Sequence, residues 1–363
     1  MKLLNRKKAI TVIVIILILC TANIYIAKNY IIMMPGIAKN LRETINIYEN
    51  DNFEDEKGAF LLITVSTRSA NLPLVVYSLL NPYAKIHNKT NIIPNYFDKN
   101  EYQNYTRELM EESQIVAKAV ALSKAGYSVE IQCQGVKVLK VLNESNGYGK
   151  IKDGDIILSI DRKEISKTSE LLDEVNKKKK GEIVELILMR DAKEEHISVK
   201  VVESSNNNEK AGLGLYVKDY LNVDLPFQVE IEIGEIGGPS AGIMFALEIY
   251  NRLTKADLTL GKIVAGTGTL SFDGEIGEIG GVEQKVITAH KNGAEIFFIP
   301  IGNYKDAKPV AEKYGITLVP IKTFDDALKY LKDRQLYSYR VIEKIPPFLS
   351  HIGVLISNAV NEE

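Results

Sequence analysis

Gly237-Gly238-Pro239-Ser240-Ala241-Gly242 is the stretch on which the reading of this chain turns, with Gly280-Gly281-Val282-Glu283-Gln284-Lys285 downstream of it. Ser240 stands on a glycine-rich turn, where backbone can approach a bound molecule closely. The apolar spacing of Ile243, Phe245, Ala246 and Ile249 predicts a helix from Ser240 to Leu253. The first N–H groups of such a helix have no intrahelical acceptor and carry the positive end of its dipole, so they suit an oxyanion. A second helix is predicted over 282–291, where Val282, Lys285, Val286 and Ala289 share one face and Glu283 and Gln284 lie off it. Lys285 therefore falls inside an apolar stripe. An ordinary lysine keeps its proton up to about pH 10.4, but burial disfavours the charged form and frees the amine to act as a base. A serine hydroxyl needs such a base to become a nucleophile. The bland alternative is a helix-capping serine and a lysine that reaches water along its stem.

Outward from this pair, strands are predicted at 213–217, 227–233, 263–270, 274–279, 296–299 and 317–321, with helices at 305–314 and 323–332. Such alternation indicates a layered α/β or α+β domain, set here at 212–334. Before it, the polar Ser204 to Lys210 stretch predicts a linker, 204–211. A compact unit is expected at 132–203, from strands at 135–141, 156–160, 184–189 and 196–202 and a short helix at 169–176. Residues 28–131 are set apart as an N-terminal region, with a strand at Ala59–Val65 and a helix at Tyr102–Lys124 stopped at Gly126. Residues 335–363 form a C-terminal tail whose apolar stretch, Phe348 to Val360, is too short and too broken by polar residues to span a membrane.

The chain opens with a basic stretch, 1–8, that contains Lys2, Arg6, Lys7 and Lys8, followed by the apolar run 9–27. At about 1.5 Å per residue that run spans a bilayer core of about 30 Å. The charges place the N-terminus in the cytoplasm and the rest outside, in a single-pass cell-membrane protein. Apolar residues continue through Ile24, Tyr25 and Ile26, which favours an uncleaved anchor over a signal peptide. A net charge of -2 argues against nucleic acid as a partner. The 2 cysteines, Cys20 and Cys133, and 4 scattered histidines suggest neither a disulfide framework nor a metal site. No cofactor is implied.

Two resemblances join these pieces. Gly135-Val136-Lys137-Val138, Lys152 to Asp161 and the helix after them resemble a PDZ domain. That resemblance implies a groove in which an extended peptide adds as a strand, with backbone N–H groups near Gly135 to Val138 taking a terminal carboxylate. Gly238-Pro239-Ser240-Ala241-Gly242 resembles the nucleophile motif of the Lon-type serine peptidases, and Gly280 to Lys285 with Ala289-His290-Lys291 resembles their lysine motif. The second resemblance implies an α+β fold of ribosomal-protein-S5-like topology, a Ser240–Lys285 dyad and a supporting contact from Thr267. The family has Asp two residues before the proline of its serine motif; here that position is Gly237. An anchor, a PDZ domain and a Lon-type domain together resemble the membrane-anchored branch in Gram-positive bacteria. The sequence has no G-x-x-x-x-G-K-[ST], so no nucleotide partner is expected. The expectation is an ATP-independent endopeptidase that cuts peptides or flexible protein segments at the outer membrane surface, with PDZ-bound substrate and room for a homo-oligomer. The alternatives are an inactive PDZ adaptor and a small-molecule kinase of related fold.

Overall fold

A computed structural model describes residues 2–48, 57–94, 97–143, 145–204 and 207–343. The chain divides into two units, one from Met1–Tyr127 with Phe227–Glu363 and the other from Ser128–Pro226. The first unit opens with α1 (Lys2–Asn29), which runs directly into β1 (Tyr30–Asn40). β2 (Ile45–Ile47), β3 (Ala59–Ser69), α2 (Leu72–Leu80), β4 (Lys85–Asn88) and α3 (Lys99–Lys124) follow. The second unit contains β5 (Glu130–Val141), β6 (Ile156–Ile160), β7 (Lys163–Glu164), α4 (Thr168–Asn176), β8 (Ile183–Arg190), β9 (Lys193–Lys200), β10 (Val202–Ser204), β11 (Asn207–Gly212) and β12 (Leu215–Asp224). The first unit resumes with β13 (Val229–Ile231), α5 (Gly242–Thr254), β14 (Ile263–Gly266), β15 (Thr269–Leu270), β16 (Ile276–Gly277) and α6 (Val282–Lys291). It ends with β17 (Ile296–Pro300), α7 (Tyr304–Tyr314), β18 (Thr317–Ile321) and α8 (Phe324–Glu343).

The first unit is built on a mixed sheet of order β18-β17-β14-β3-β1-β4. Its β3–β14–β17–β18 side is parallel, and β1 is antiparallel to both β3 and β4. A central strand covered on both faces is apolar almost throughout, as Ala59-Phe60-Leu61-Leu62-Ile63 is. Leu61, Ile63, Ala265, Phe297 and Ile299 pack in one cluster with Val282, Val286, Ile287 and Ala289 of α6 and Ala307 and Val310 of α7. The alternate residues Phe60, Leu62, Val264 and Phe298 are also fully buried, on the opposite face. α6 is stitched to β1 where Gly36 N–H donates to Thr288 Oγ1 at 3.1 Å, at the bulge between Pro35 and Ala38.

The expected boundaries are corrected at four points. Residues 30–127 are not a separate region; β3 pairs directly with β14, and β1, β4 and α3 belong to the same unit. The other unit does not end at 203, because β12 pairs with β5 from Leu215↔Val141 to Asp224↔Glu130. The expected linker is largely the β10–β11 hairpin, with 205–206 outside the described residues. The tail is helical through Glu343 in α8, and 344–363 lie outside the described residues. Gly126 adopts φ +93 just past α3, as a helix stop requires.

The second unit is an antiparallel sheet of order β12-β5-β6-β8-β9, with α4 against it. Val136, Val138, Ile157, Ile160, Leu171, Val175, Val184, Leu186 and Leu188 form its core. Asp155 is buried and held by Arg190 through Nε at 2.7 Å and Nη2 at 2.6 Å. That two-pronged contact compensates a carboxylate taken out of water.

Candidate active site

Ser240 lies on the loop before α5, two residues ahead of the first helical residue, Gly242. The sequence predicts a helix from Ser240 itself; in the structure Ala241 is the cap, and its carbonyl accepts from Met244 and Phe245. The Ser240 hydroxyl is therefore not used as a helix cap. Two contacts from α3 hold this loop. Gly238 N–H donates to the Thr106 carbonyl at 2.8 Å, and Ser113 Oγ donates to the Pro239 carbonyl at 3.0 Å. Gly237 passes so close to α3 that a Cβ there would stand 2.8 Å from Thr106 Oγ1. Glycine fits this position without crowding Thr106.

Lys285 projects from the first turn of α6. Gly281 caps that helix at φ 69, ψ 30, a left-handed backbone that glycine adopts without strain. A Cβ at Gly281 would also meet Met33 Sδ and Val65 Cγ1 at 2.8 Å, so β1 and β3 set where α6 begins. Gln284, expected off the buried face, is buried too; its Nε2 donates to the Tyr83 carbonyl at 3.1 Å between α2 and β4. Glu283 turns to Lys85 at 2.6 Å.

Three side chains meet at the C-terminal end of β14. Lys285 Nζ is 2.7 Å from Ser240 Oγ and 2.9 Å from Thr267 Oγ1. Thr267 directly follows β14, and its hydroxyl donates to the Ser240 carbonyl at 3.0 Å. Gly268 N–H donates to the same carbonyl at 2.9 Å. Thr267 is fully buried and Lys285 is 3% exposed, whereas Ser240 is half-buried and so reachable from outside. Burial pushes the Lys285 amine down to about 7 from the ordinary 10.5. Among the described residues its hydrogen-bond partners are two hydroxyls, not a carboxylate that would hold its proton.

The hydrogen bonds impose an order. Because the Thr267 proton goes to the Ser240 carbonyl, Thr267 Oγ1 offers only a lone pair to Lys285, which donates one N–H to it. A neutral amine so oriented keeps its own lone pair for the Ser240 hydroxyl. The arrangement can take a proton from Ser240 and return it, and it needs no histidine or carboxylate. Of the residues singled out in sequence, the structure brings Ser240, Lys285 and Thr267 together, with Gly238, Pro239 and Ala241 forming the loop. The sequence did not point to Thr106, Ser113, Tyr83, Met33 and Val65. They come from segments far from either motif and carry no signature of their own.

The peptide groove of the second unit needs correction. Gly135, Val136, Lys137 and Val138 lie in β5, which is paired with β12 on one side and β6 on the other. An interior strand has no free edge for an added peptide. Among the described residues, β12 is the edge strand beside α4; Asp219 Oδ1 of β12 accepts from Thr168 N–H at the start of that helix, at 2.6 Å.

Residues 177–333 match the family model of the Lon protease (S16) C-terminal proteolytic domain, and residues 119–201 match that of the PDZ domain. The first match begins inside the second unit and omits the segment that supplies β1, β3 and α3. The chain is 29% identical over 147 residues to the Lon protease of Metamycoplasma arthritidis, which covers 39% of this chain and 17% of that protein. It is 37% identical over 94 residues to the Lon protease of Trichlorobacter lovleyi, which covers 25% and 11%. Among solved structures it is similar to the PDZ domain of the SdrC-like protein Lin2157 from Listeria innocua, at 27% identity and a TM-score of 0.22, over 23% of this chain and 92% of that one. The chain spans less than a fifth of the length of the curated relatives it matches, 17% and 19% for two of them.

Proposed function

This chain carries a Lon-type (S16) proteolytic domain and a PDZ domain, and from that premise we propose that it is a membrane-anchored serine endopeptidase that works without ATP. Ser240 is the nucleophile and Lys285 its general base. The observation that carries this reading is the 2.7 Å contact between Ser240 Oγ and an amine that burial holds at about 7.

In the proposed reaction the neutral Lys285 amine takes the Ser240 proton as Oγ attacks a peptide carbonyl. N–H groups of the loop and of the first turn of α5 face the developing oxyanion, each such donor being worth about 3 kcal/mol. Gly238 N–H is not among them, since it is committed to Thr106. The protonated Lys285 then gives its proton to the leaving amine. Water, deprotonated by the same amine, releases the acyl group. Thr267 orients Lys285 throughout.

The anchor is α1, of which Ile10–Asn29 is long and apolar enough to cross a membrane. The basic residues before it support a cytoplasmic N-terminus and an extracytoplasmic catalytic unit. With no P-loop motif in its 363 residues, the enzyme is suited to flexible segments and peptides rather than folded proteins that must be pulled apart. The PDZ domain binds substrate as an added strand, and the open β12 edge supports that role better than β5.

Cells expressing wild type, Ser240→Ala or Lys285→Ala test the reading through their extracytoplasmic peptides. The same cleavage products should vanish in both variants. Ordinary products from the Ser240→Ala strain would contradict the peptidase and favour a PDZ adaptor.

A further inference from the structure

α2 is a nine-residue helix, Leu-Pro-Leu-Val-Val-Tyr-Ser-Leu-Leu, without a charge and without a buried residue. It is well started and stopped. Asn71 Oδ1 accepts from Leu74 N–H, Pro73 stands in its first turn, and Asn81 N–H closes on the Tyr77 carbonyl. Such a helix normally buries its apolar face in the core. Here Pro73, Val76, Tyr77 and Leu80, spaced i, i+3, i+4 and i+7, form one outward stripe, with Leu79 beside it. Leu79 is 80% and Leu80 82% exposed. A contiguous apolar surface of this kind marks an interaction site.

The position of α2 identifies what covers it. Leu72 N–H donates to Asn23 Oδ1 of α1 at 2.9 Å. Asn23 lies six residues before Asn29, the end of α1, which is about 9 Å along the helix axis. If α1 crosses the bilayer and emerges at Asn29, the start of α2 sits about 9 Å below the point of emergence, the depth at which interfacial helices lie. Around that point stand the edge-to-face pair Tyr25 and Tyr30, and the exposed cations Lys28 and Arg68. Aromatic rings and cations at that level suit the headgroup zone, the cations meeting anionic lipid.

We propose that α2 lies in the leaflet through which α1 emerges, its Val76–Tyr77–Leu79–Leu80 face among the acyl chains, as a second membrane contact of the catalytic unit. This inference rests on the membrane reading of α1. It also goes beyond it. α1 enters β1 without an intervening residue, and Met33 of β1 is the neighbour of Gly281 at the head of α6. With α1 and α2 both seated, the catalytic unit is pinned at two points rather than tethered at one. Ser240 then stays within a few strand residues of the lipid surface, and its substrates are membrane-proximal segments.

The test uses the full chain with Cys20→Ala and Cys133→Ala, in vesicles of phosphatidylcholine and phosphatidylglycerol. A single cysteine at Leu80, Ile16 or Leu336 carries an environment-sensitive nitrobenzoxadiazole label. The lipids carry a spin-label quencher at acyl carbon 5 or 12. The Leu80→Cys label should shift to the blue and lose more than half its emission to the shallow quencher, and less to the deep one. Ile16→Cys should be quenched best by the deep one, and Leu336→Cys, an exposed position on α8, by neither. Quenching at Ile16 without quenching at Leu80 would overturn the proposal and leave the anchor intact. A blue shift at Leu80 without quenching would mean that protein, such as a second copy, covers α2, and would overturn it equally. Loss of quenching at both positions would refute the anchor itself, and the proposal with it.

Discussion

Replacing Lys285 by methionine should abolish the chemistry and stabilise the fold. The amine sits at about 7 in the folded chain against 10.5 for an ordinary lysine. That difference corresponds to ~5 kcal/mol between the two protonation states. The sign follows from proton counting. Between pH 7 and 10.5 the unfolded chain binds a proton that the folded chain does not, so stability rises with pH across that window. The burial penalty is fully present below pH 7 and gone above 10.5. Methionine fills a similar volume without a charge to desolvate, but it gives up the contacts to Ser240 Oγ and Thr267 Oγ1, each worth ~1 kcal/mol. Lys285→Met should therefore gain ~3 kcal/mol at pH 6.5, and at pH 10 it should be level with wild type or slightly less stable. Urea unfolding of the full chain in detergent, followed by circular dichroism, measures this. At a slope of ~3 kcal/mol/M the midpoint should rise by ~1 M at pH 6.5. A lower midpoint at pH 6.5, or a gain that does not shrink by pH 10, would refute the reasoning that Lys285 is held neutral by burial.

Three further outcomes are expected. Thr267→Val removes the acceptor that orients Lys285 Nζ and should lower kcat ~10–100-fold with KM little changed; Thr267→Ser should restore most of it, as steady-state kinetics on a peptide substrate will show. Gly281→Ala forces φ 69 on a residue with a Cβ and drives that Cβ against Met33 and Val65, so it should cost ~1–3 kcal/mol in the same urea assay and lower activity by shifting α6. Gly237→Asp, which supplies the residue found in the Lon-type motif, should impair turnover by crowding Thr106, and adding Thr106→Ala should recover it.

The motifs of the candidate site were legible because each is local. A glycine-rich turn before an apolar helix places Ser240, and the 3.6-residue period alone puts Lys285 between Val282 and Val286. Its scaffold was not. β3 pairs with β14 across about two hundred residues, and periodicity says nothing about partners so far apart. β1 reads poorly because Pro35 and Gly36 interrupt it, yet they form the bulge that receives Thr288. β12, with Lys218, Asp219, Asn222 and Asp224, has no buried-strand pattern, so the sequence shows neither its place beside β5 nor that the open edge lies one strand further out. The loop contacts of Thr106 and Ser113 depend on α3 lying along α5, which no local pattern encodes. Apolar spacing places the helix after Ser240 but not its first residue; Ala241 caps it, α5 begins at Gly242, and the Ser240 hydroxyl is left to Lys285.

Acylation of Ser240 by a serine-reactive β-lactone, read as intact mass from pH 5 to 9, tests the account most directly. The rate should rise tenfold per pH unit, level off near pH 7, leave its adduct on Ser240, and collapse in Lys285→Ala. A rate that is flat with pH, or unchanged in Lys285→Ala, would contradict it.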